Sequence, residues 1–304
     1  MPLPCLAILS VAGRILHRVR LDARPHAVPV AIFAWFAICP VVLMAGEPIA
    51  GHIVVKDALA LPGKPVRIEA KLVRQGLAGT GLGGEPLEFS VGGTKVGTAM
   101  TGGDGRAFAD YTCRLRGFHD VVVRLGATPR VAKTEGTGRL ACWERRRPIL
   151  LVDLATVVEP RRGAIALPGL PLPLLSSGEP KAMPDAAVEL KRLSDYYYNV
   201  IYLDLSGDDD QVDREWLTQA GFPPGYVVAV SPGPDPLEAF LQFLHREGWD
   251  NVRAGVGSTR HFADVTLARR METLVLPADA KEEDVPKKAH LIKDWKEVRK
   301  KLKS

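Results

Sequence analysis

Residues 149–157 read Ile-Leu-Leu-Val-Asp-Leu-Ala-Thr-Val, four apolar residues running straight into Asp153. An unbroken apolar run, rather than an alternating one, suits a strand buried on both faces, as in a parallel sheet. In open parallel sheets ligands bind beyond the carboxyl ends of the strands. Asp153 therefore stands where such a fold does its chemistry.

The chain beyond this strand repeats the pattern. Apolar runs predict strands at 199–203, 226–230, 252–256 and 273–276, alternating with helices at 184–196, 211–220, 235–246 and 261–270. In the first helix Pro184 suits the first turn, and Ala187, Leu190 and Leu193 fall on one face. Gly221 stops the second. Strands alternating with helices in this way imply a parallel, doubly wound α/β sheet of the Rossmann type, here over residues 148–278. Residues 159–184 form a long stretch rich in proline and glycine, much of it apolar. A loop of that length is usually functional.

Ahead of it, residues 47–147 change character. Short strands are expected at 53–55, 66–72, 87–91, 107–115 and 121–125, several alternating with period two. Glycine turns at 63–65, 92–93 and 102–105 separate them, with no helix between. That is the pattern of an antiparallel β-sandwich. Nothing in it has the composition of a catalytic site, so its service is that of a spacer or a binding surface. His119 and Trp143 read as packing residues. Cys113 and Cys142 are the two cysteines of this half, and without histidines at ligand spacing they make no metal site. A disulfide and two buried thiols both remain open.

The ends differ from the body. Residues 27–45 carry no charge, and Arg14, Arg18, Arg20 and Arg24 precede them, offset only by Asp22. Residues 1–46 thus read as a retained membrane anchor or a cleaved leader, with the positive flank inside and the body extracytoplasmic. Residues 279–304 form a basic tail with Leu291, Trp295, Val298 and Leu302 at helical spacing, either docked on the body or lying on a membrane. The net charge of +5 sits mostly in these ends, which argues against a nucleic-acid partner. Asp208 to Asp210 read as a solvated turn, His245 and His261 as surface residues, and Tyr196 to Tyr198 as packing.

Several motifs carry a resemblance. The apolar run ending in Asp153 resembles the first motif of the haloacid dehalogenase superfamily, a hydrophobic run followed by D-x-D-x-T/V. Asn199-Val-Ile-Tyr-Leu-Asp204 followed by Arg214-Glu-Trp-Leu-Thr-Gln-Ala-Gly221-Phe-Pro-Pro-Gly225 is similar to the lipin-type branch, which includes phosphatidate phosphatases and the C-terminal domains of some phosphatidylinositol-transfer proteins. Ala254-Gly-Val-Gly257 through Asp264 looks like that branch's fourth motif. In the preceding half, Thr101 to Ala109 resembles the turn and strand of invasin-type bacterial immunoglobulin-like domains. Ala109-Asp-Tyr-Thr-Cys113 is similar to an immunoglobulin A-x-Y-x-C strand.

The dehalogenase resemblance implies Asp153 as nucleophile, a cap over the site from the 159–184 stretch, and a Mg²⁺ ion held by Asp153, the backbone carbonyl of Ala155 and Asp264. The chain departs from the pattern where chemistry is needed. Ala155 stands at the general-acid position, and Asp204 stands where a Thr or Ser binds phosphate, with Ser206 two residues on. No lysine occurs between Lys191 and Lys281; Arg246 or Arg253 could replace its charge, but neither lies in a recognisable motif. Asp153, Asp204 and Asp264 are expected to gather at one mouth, with weak Mg²⁺ binding or no cofactor. The expectation is an exported protein with a degenerate dehalogenase-like domain that binds a phosphorylated or lipid ligand, or a protein, without catalysis. A working Mg²⁺-dependent phosphatase using Asp153 is the alternative, and a structural role in the cell envelope a third.

Overall fold

The computed structural model describes residues 47–76, 79–159, 180–205, 210–230, 235–276 and 285–302. The expected leader or anchor, the core of the cap stretch, Ser206, Asp208 and Asp209 lie outside the described residues. The described residues are mostly β, in three sheets.

The first half builds two of them. Strands β1 (Gly51–Val55), β3 (Pro65–Arg74) and β6 (Arg106–Thr112) form an antiparallel sheet in the order β1-β3-β6. Strands β2 (Ala58–Ala60), β8 (Glu135–Cys142), β7 (Gly117–Leu125), β4 (Pro86–Val91) and β5 (Thr94–Met100) form the second, in that order, with β2 parallel to β8. Alternate residues point inward, as the strand period requires. Ile68, Ala70 and Leu72 of β3 meet Leu87, Phe89, Val121, Val123 and Leu140 of the facing sheet in one core. The expected all-β sandwich is therefore present.

Its hidden members are β2, β5 and β8. The sequence of β8, Glu-Gly-Thr-Gly-Arg-Leu-Ala-Cys, carries two glycines that suggest a turn. Packing explains one of them: a Cβ on Gly136 would fall 2.2 Å from the carbonyl oxygen of Ile53. The backbones of β8 and β1 approach too closely there for any side chain. Cys113, just past β6, and Cys142, the last residue of β8, form a disulfide between the two sheets, with Cα atoms 6.3 Å apart.

The second half builds a six-stranded parallel sheet in the order β11-β10-β9-β12-β13-β14. Its strands are β9 (Ile149–Asp153), β10 (Asn199–Asp204), β11 (Tyr226–Ala229), β12 (Val252–Gly257), β13 (Glu272–Val275) and β14 (His290–Leu291). Helices α1 (Ala186–Tyr196), α2 (Asp210–Gln219), α3 (Pro236–Arg246), α4 (Arg260–Ala268) and α5 (Trp295–Leu302) complete it. Both faces of β9 and β10 are buried. Leu150, Val152, Val200 and Tyr202 pack with residues of α1, α2 and α5. Ile149, Leu151, Ile201 and Leu203 pack with residues of α3 and α4.

The tail is docked. Trp295, Val298 and Leu302 are buried, and the Trp295 indole donates to the carbonyl of Thr156 at 3.0 Å. The helix starts later than its spacing suggests, because Asp294 caps it by accepting from the Glu297 amide at 2.9 Å. Leu291 instead lies in β14, at the sheet edge.

The two halves share a core. Ala141 and Trp143 from the end of the sandwich belong to the same cluster as Ile149, Leu241 and Phe262. A buried ion pair crosses the same seam. Arg214 of α2 donates to Asp57, between β1 and β2, and to the carbonyl of Thr137 in β8 at 3.0 Å.

Candidate functional site

From β9 the chain adds β10 and β11 on one side, then crosses over to add β12 and β13 on the other. Where strand order reverses, adjacent connections leave in opposite directions and a crevice opens at the carboxyl ends. Asp153 ends β9 and Ser258 follows β12, so both stand at that reversal.

Asp153 caps a short 3₁₀ turn, Leu154–Thr156. One carboxylate oxygen accepts from the Ala155 amide at 3.0 Å. The other accepts from the Ser258 amide at 3.2 Å and from the Ser258 hydroxyl at 2.7 Å. The Thr156 hydroxyl closes the turn by donating to the Asp153 carbonyl at 2.7 Å. Asp153 is 3% exposed. Burial pushes its carboxyl above the ordinary value, the three hydrogen bonds pull against that, and the neighbouring Asp204 adds to the rise.

Only some of the other expected site residues join it. Asp204 ends β10 beside Asp153 and is likewise buried, as the sequence places it. Ala155 is exposed, its amide committed to Asp153. Asp264 stays apart. Helix α4 begins at Arg260 behind the Thr259 cap, which carries Asp264 a full turn along; there its carboxylate is largely exposed, 3.6 Å from Arg260. Among the described residues no group of three or more His, Cys, Asp and Glu side chains could hold a metal ion. The ligands expected for Mg²⁺ are therefore not brought together, since Asp264 lies exposed on α4. Arg246 closes α3 and Arg253 lies near the start of β12, so both sit away from the carboxyl ends.

His261 is exposed, as expected, but it has a partner: its Nε2 lies 3.2 Å from Asp235, which also caps α3 through the Glu238 amide. His245 similarly meets Asp250 at 2.6 Å.

The glycines that resemble a fourth motif have a packing role. Gly257 ends β12 directly beneath the buried ring of Phe262 in α4, and a Cβ there would fall 2.1 Å from the ring. Without a side chain the helix closes down on the strand and brings Ser258 to Asp153. Gly257→Ala should therefore cost about 1–3 kcal/mol, the range for overpacking a filled core. Urea denaturation checks this, and wild-type stability would show that Phe262 repacks freely.

The Trp-Leu…Gly-Phe-Pro-Pro-Gly motif is also structural. The Tyr202 hydroxyl donates to the Pro223 carbonyl at 2.8 Å, Trp216 donates to Pro180 at 2.8 Å, and Arg214 reaches Asp57. The Tyr202 and Arg214 contacts lie ahead of β11, away from the carboxyl ends of the strands, while Trp216 holds Pro180 beside the segment that pairs with residues 157–159 after β9. Sequence reasoning missed Asp57, which has no local signature, and placed Ser258 within the fourth-motif stretch without its contact to Asp153.

No family model matches this chain, and no curated protein matches it. The dehalogenase-type resemblance accordingly rests on its sequence motifs. Similar solved structures include fibronectin(III)-like modules of CbhA from Clostridium thermocellum, at 13% identity and a TM-score of 0.24, covering 31% of this chain and 47% of that one. This chain thus spans about half the length of that structure. The CARDB domain of PF1109 from Pyrococcus furiosus is 13% identical with a TM-score of 0.22, over 31% of this chain and 94% of that one. A family 123 glycoside hydrolase from Clostridium perfringens is 8% identical with a TM-score of 0.21, over 75% and 59%. None of these superpositions is close enough to carry an argument about activity.

Proposed function

We propose that the protein is an exported, non-catalytic binding protein of the cell envelope, an immunoglobulin-like sandwich fused to a dehalogenase-type sheet that has lost its chemistry. The observation that carries this reading is that the expected catalytic set does not assemble. Asp264 lies exposed on α4 apart from Asp153, and a second buried carboxylate, Asp204, stands where a phosphate-binding hydroxyl is expected. The missing acid at Ala155 and the absence of lysine between Lys191 and Lys281 point the same way. Export is supported by the charged flank of the 27–45 segment and by the Cys113–Cys142 bond, which suits an oxidising compartment.

The favoured ligand at the outer surface is another protein rather than a phosphate ester. Two buried carboxylates at the mouth, Asp153 and Asp204, repel phosphate. Helix α1, by contrast, leaves Val188 54%, Tyr196 76% and Tyr197 40% exposed, a combination suited to protein contact. The test is hydrolysis of para-nitrophenyl phosphate and of phosphatidate with Mg²⁺. Wild type should turn over neither faster than Asp153→Asn. Clear wild-type turnover that Asp153→Asn abolishes would overturn the proposal in favour of a lipin-type phosphatase.

A further inference from the structure

The seam between the two halves contains a cavity of about 220 Å³, bounded on one side by β8 and on the other by α2 and the start of β11. Arg139 enters it from the sandwich. Arg214, Tyr202, Thr218, Phe222 and Pro224 line it from the other half. We propose that this cavity is a binding site for a small organic monoanion, a carboxylate carrying a short apolar tail. The proposal is independent of the reading given to Asp153, which lies at the carboxyl ends of the strands.

Charge carries the first step. Two arginines line the cavity, and one of them is paired with a carboxylate. Arg214 is paired with Asp57, and both are 8% exposed. Asp57 accepts from Arg214, from the Arg139 amide at 2.8 Å and from the Val227 amide at 3.4 Å, and the Arg139 guanidinium is not among its donors. The Arg139 side chain has no carboxylate partner among the described residues, and its guanidinium lies 5.6 Å from the centre of the Phe118 ring. Among the described residues the Arg139 guanidinium thus makes no ion pair, and Asp120 stands opposite it in the β7–β8 ladder. A monoanion can pair with that one guanidinium, whereas a dianion brings surplus charge toward apolar walls.

Shape carries the second. Leu217, Phe222 and Pro224 give the cavity apolar walls. The walls are held in place: the Tyr202 hydroxyl is fixed on the Pro223 carbonyl, and Gly225 lies so close that a Cβ would fall 2.5 Å from the Tyr202 ring. A preformed pocket loses little ordering entropy on binding. At about 220 Å³ it falls below the roughly 300–1,000 Å³ of drug-sized sites, which selects a ligand of few heavy atoms. Arginine suits a planar carboxylate because its donors form a matching fork.

Thermal denaturation with isobutyrate, its neutral isostere isobutyramide and inorganic phosphate, all at matched ionic strength, tests the proposal. Isobutyrate should give a saturable rise in Tm, roughly 4–7 °C at twenty times its Kd, and the other two should not. Arg139→Gln removes the guanidinium that makes no ion pair from a half-buried position and should abolish the rise. Thr218→Trp fills the cavity while keeping both arginines and should abolish it as well. No rise, an equal rise with isobutyramide, or a rise that survives in both variants would overturn the site. A stronger response to phosphate would overturn the choice of a monoanion.

Discussion

Arg214→Met should lower the free energy of unfolding by about 3–5 kcal/mol, the cost of stripping one partner from a buried ion pair. Arg214 and Asp57 are each 8% exposed, so little solvent reaches either charge. Burial already pushes the Asp57 carboxyl above its ordinary value, and Arg214 is the main influence pulling it back. Removing Arg214 leaves only the Arg139 and Val227 amides to oppose burial, and the folded-state pKa of Asp57 climbs further. A carboxyl whose folded pKa is raised is favoured by low pH: its contribution is fully present below the unfolded value of 3.8 and is lost as pH rises through the folded one. The variant has the higher folded pKa, so its deficit relative to wild type should grow toward neutral pH and shrink toward acid. Asp57→Asn, which strands a guanidinium that stays charged, should show no such relief. Urea titrations of both single variants and the double variant, at acid and neutral pH, supply the comparison. A cost below about 1 kcal/mol, or one that is flat with pH, would mean that water reaches the pair and that the seam is looser than its burial implies.

The seam was also the part least visible in the sequence. Asp57 and Arg214 are 157 residues apart, and a lone aspartate in Lys56-Asp57-Ala58 has no pattern to announce a partner. The parallel sheet was far more legible. Strands buried on both faces leave unbroken apolar runs, and helices leave a 3.6-residue period, so the expected elements from 149 to 276 fall within about two residues of those observed. In the sandwich the same reading lost β5, an edge strand with no fully buried residue, and β8, whose glycines serve close packing rather than a turn. The position of Asp153 could be read from its strand. Its state could not, because Ser258, which occupies one of its oxygens, arrives from 105 residues away. The glycines before Ser258 were visible as a motif, but the buried Phe262 ring that requires one of them was not.

Replacing both bridged cysteines, as Cys113→Ala/Cys142→Ala, should cost roughly 3–4 kcal/mol. The bond closes a loop of 29 residues, and loop-closure entropy for that length falls in this range, inside the 2–5 kcal/mol typical of native disulfides. In a unit of this size that corresponds to a fall in Tm of roughly 10 °C. Geometry favours the full effect. Both cysteines are completely buried, and the bond joins the sheet of β6 to that of β8, where no hydrogen-bonded ladder links them. Cys142 also leads directly into Trp143, which packs edge-on against Phe118 at 5.7 Å and belongs to the core shared with the parallel sheet. Loosening the end of β8 should therefore be felt beyond the sandwich, and the two halves should still unfold together in one transition. Chemical denaturation monitored at Trp143 and at Trp295, one in each half, reads both points. A Cys5→Ala/Cys39→Ala background leaves only the bridged pair to count. In that background the denatured, unreduced protein should show no reactive thiol. Two reactive thiols, or a double alanine variant as stable as its parent, would remove the disulfide from the account of how the sheets are held.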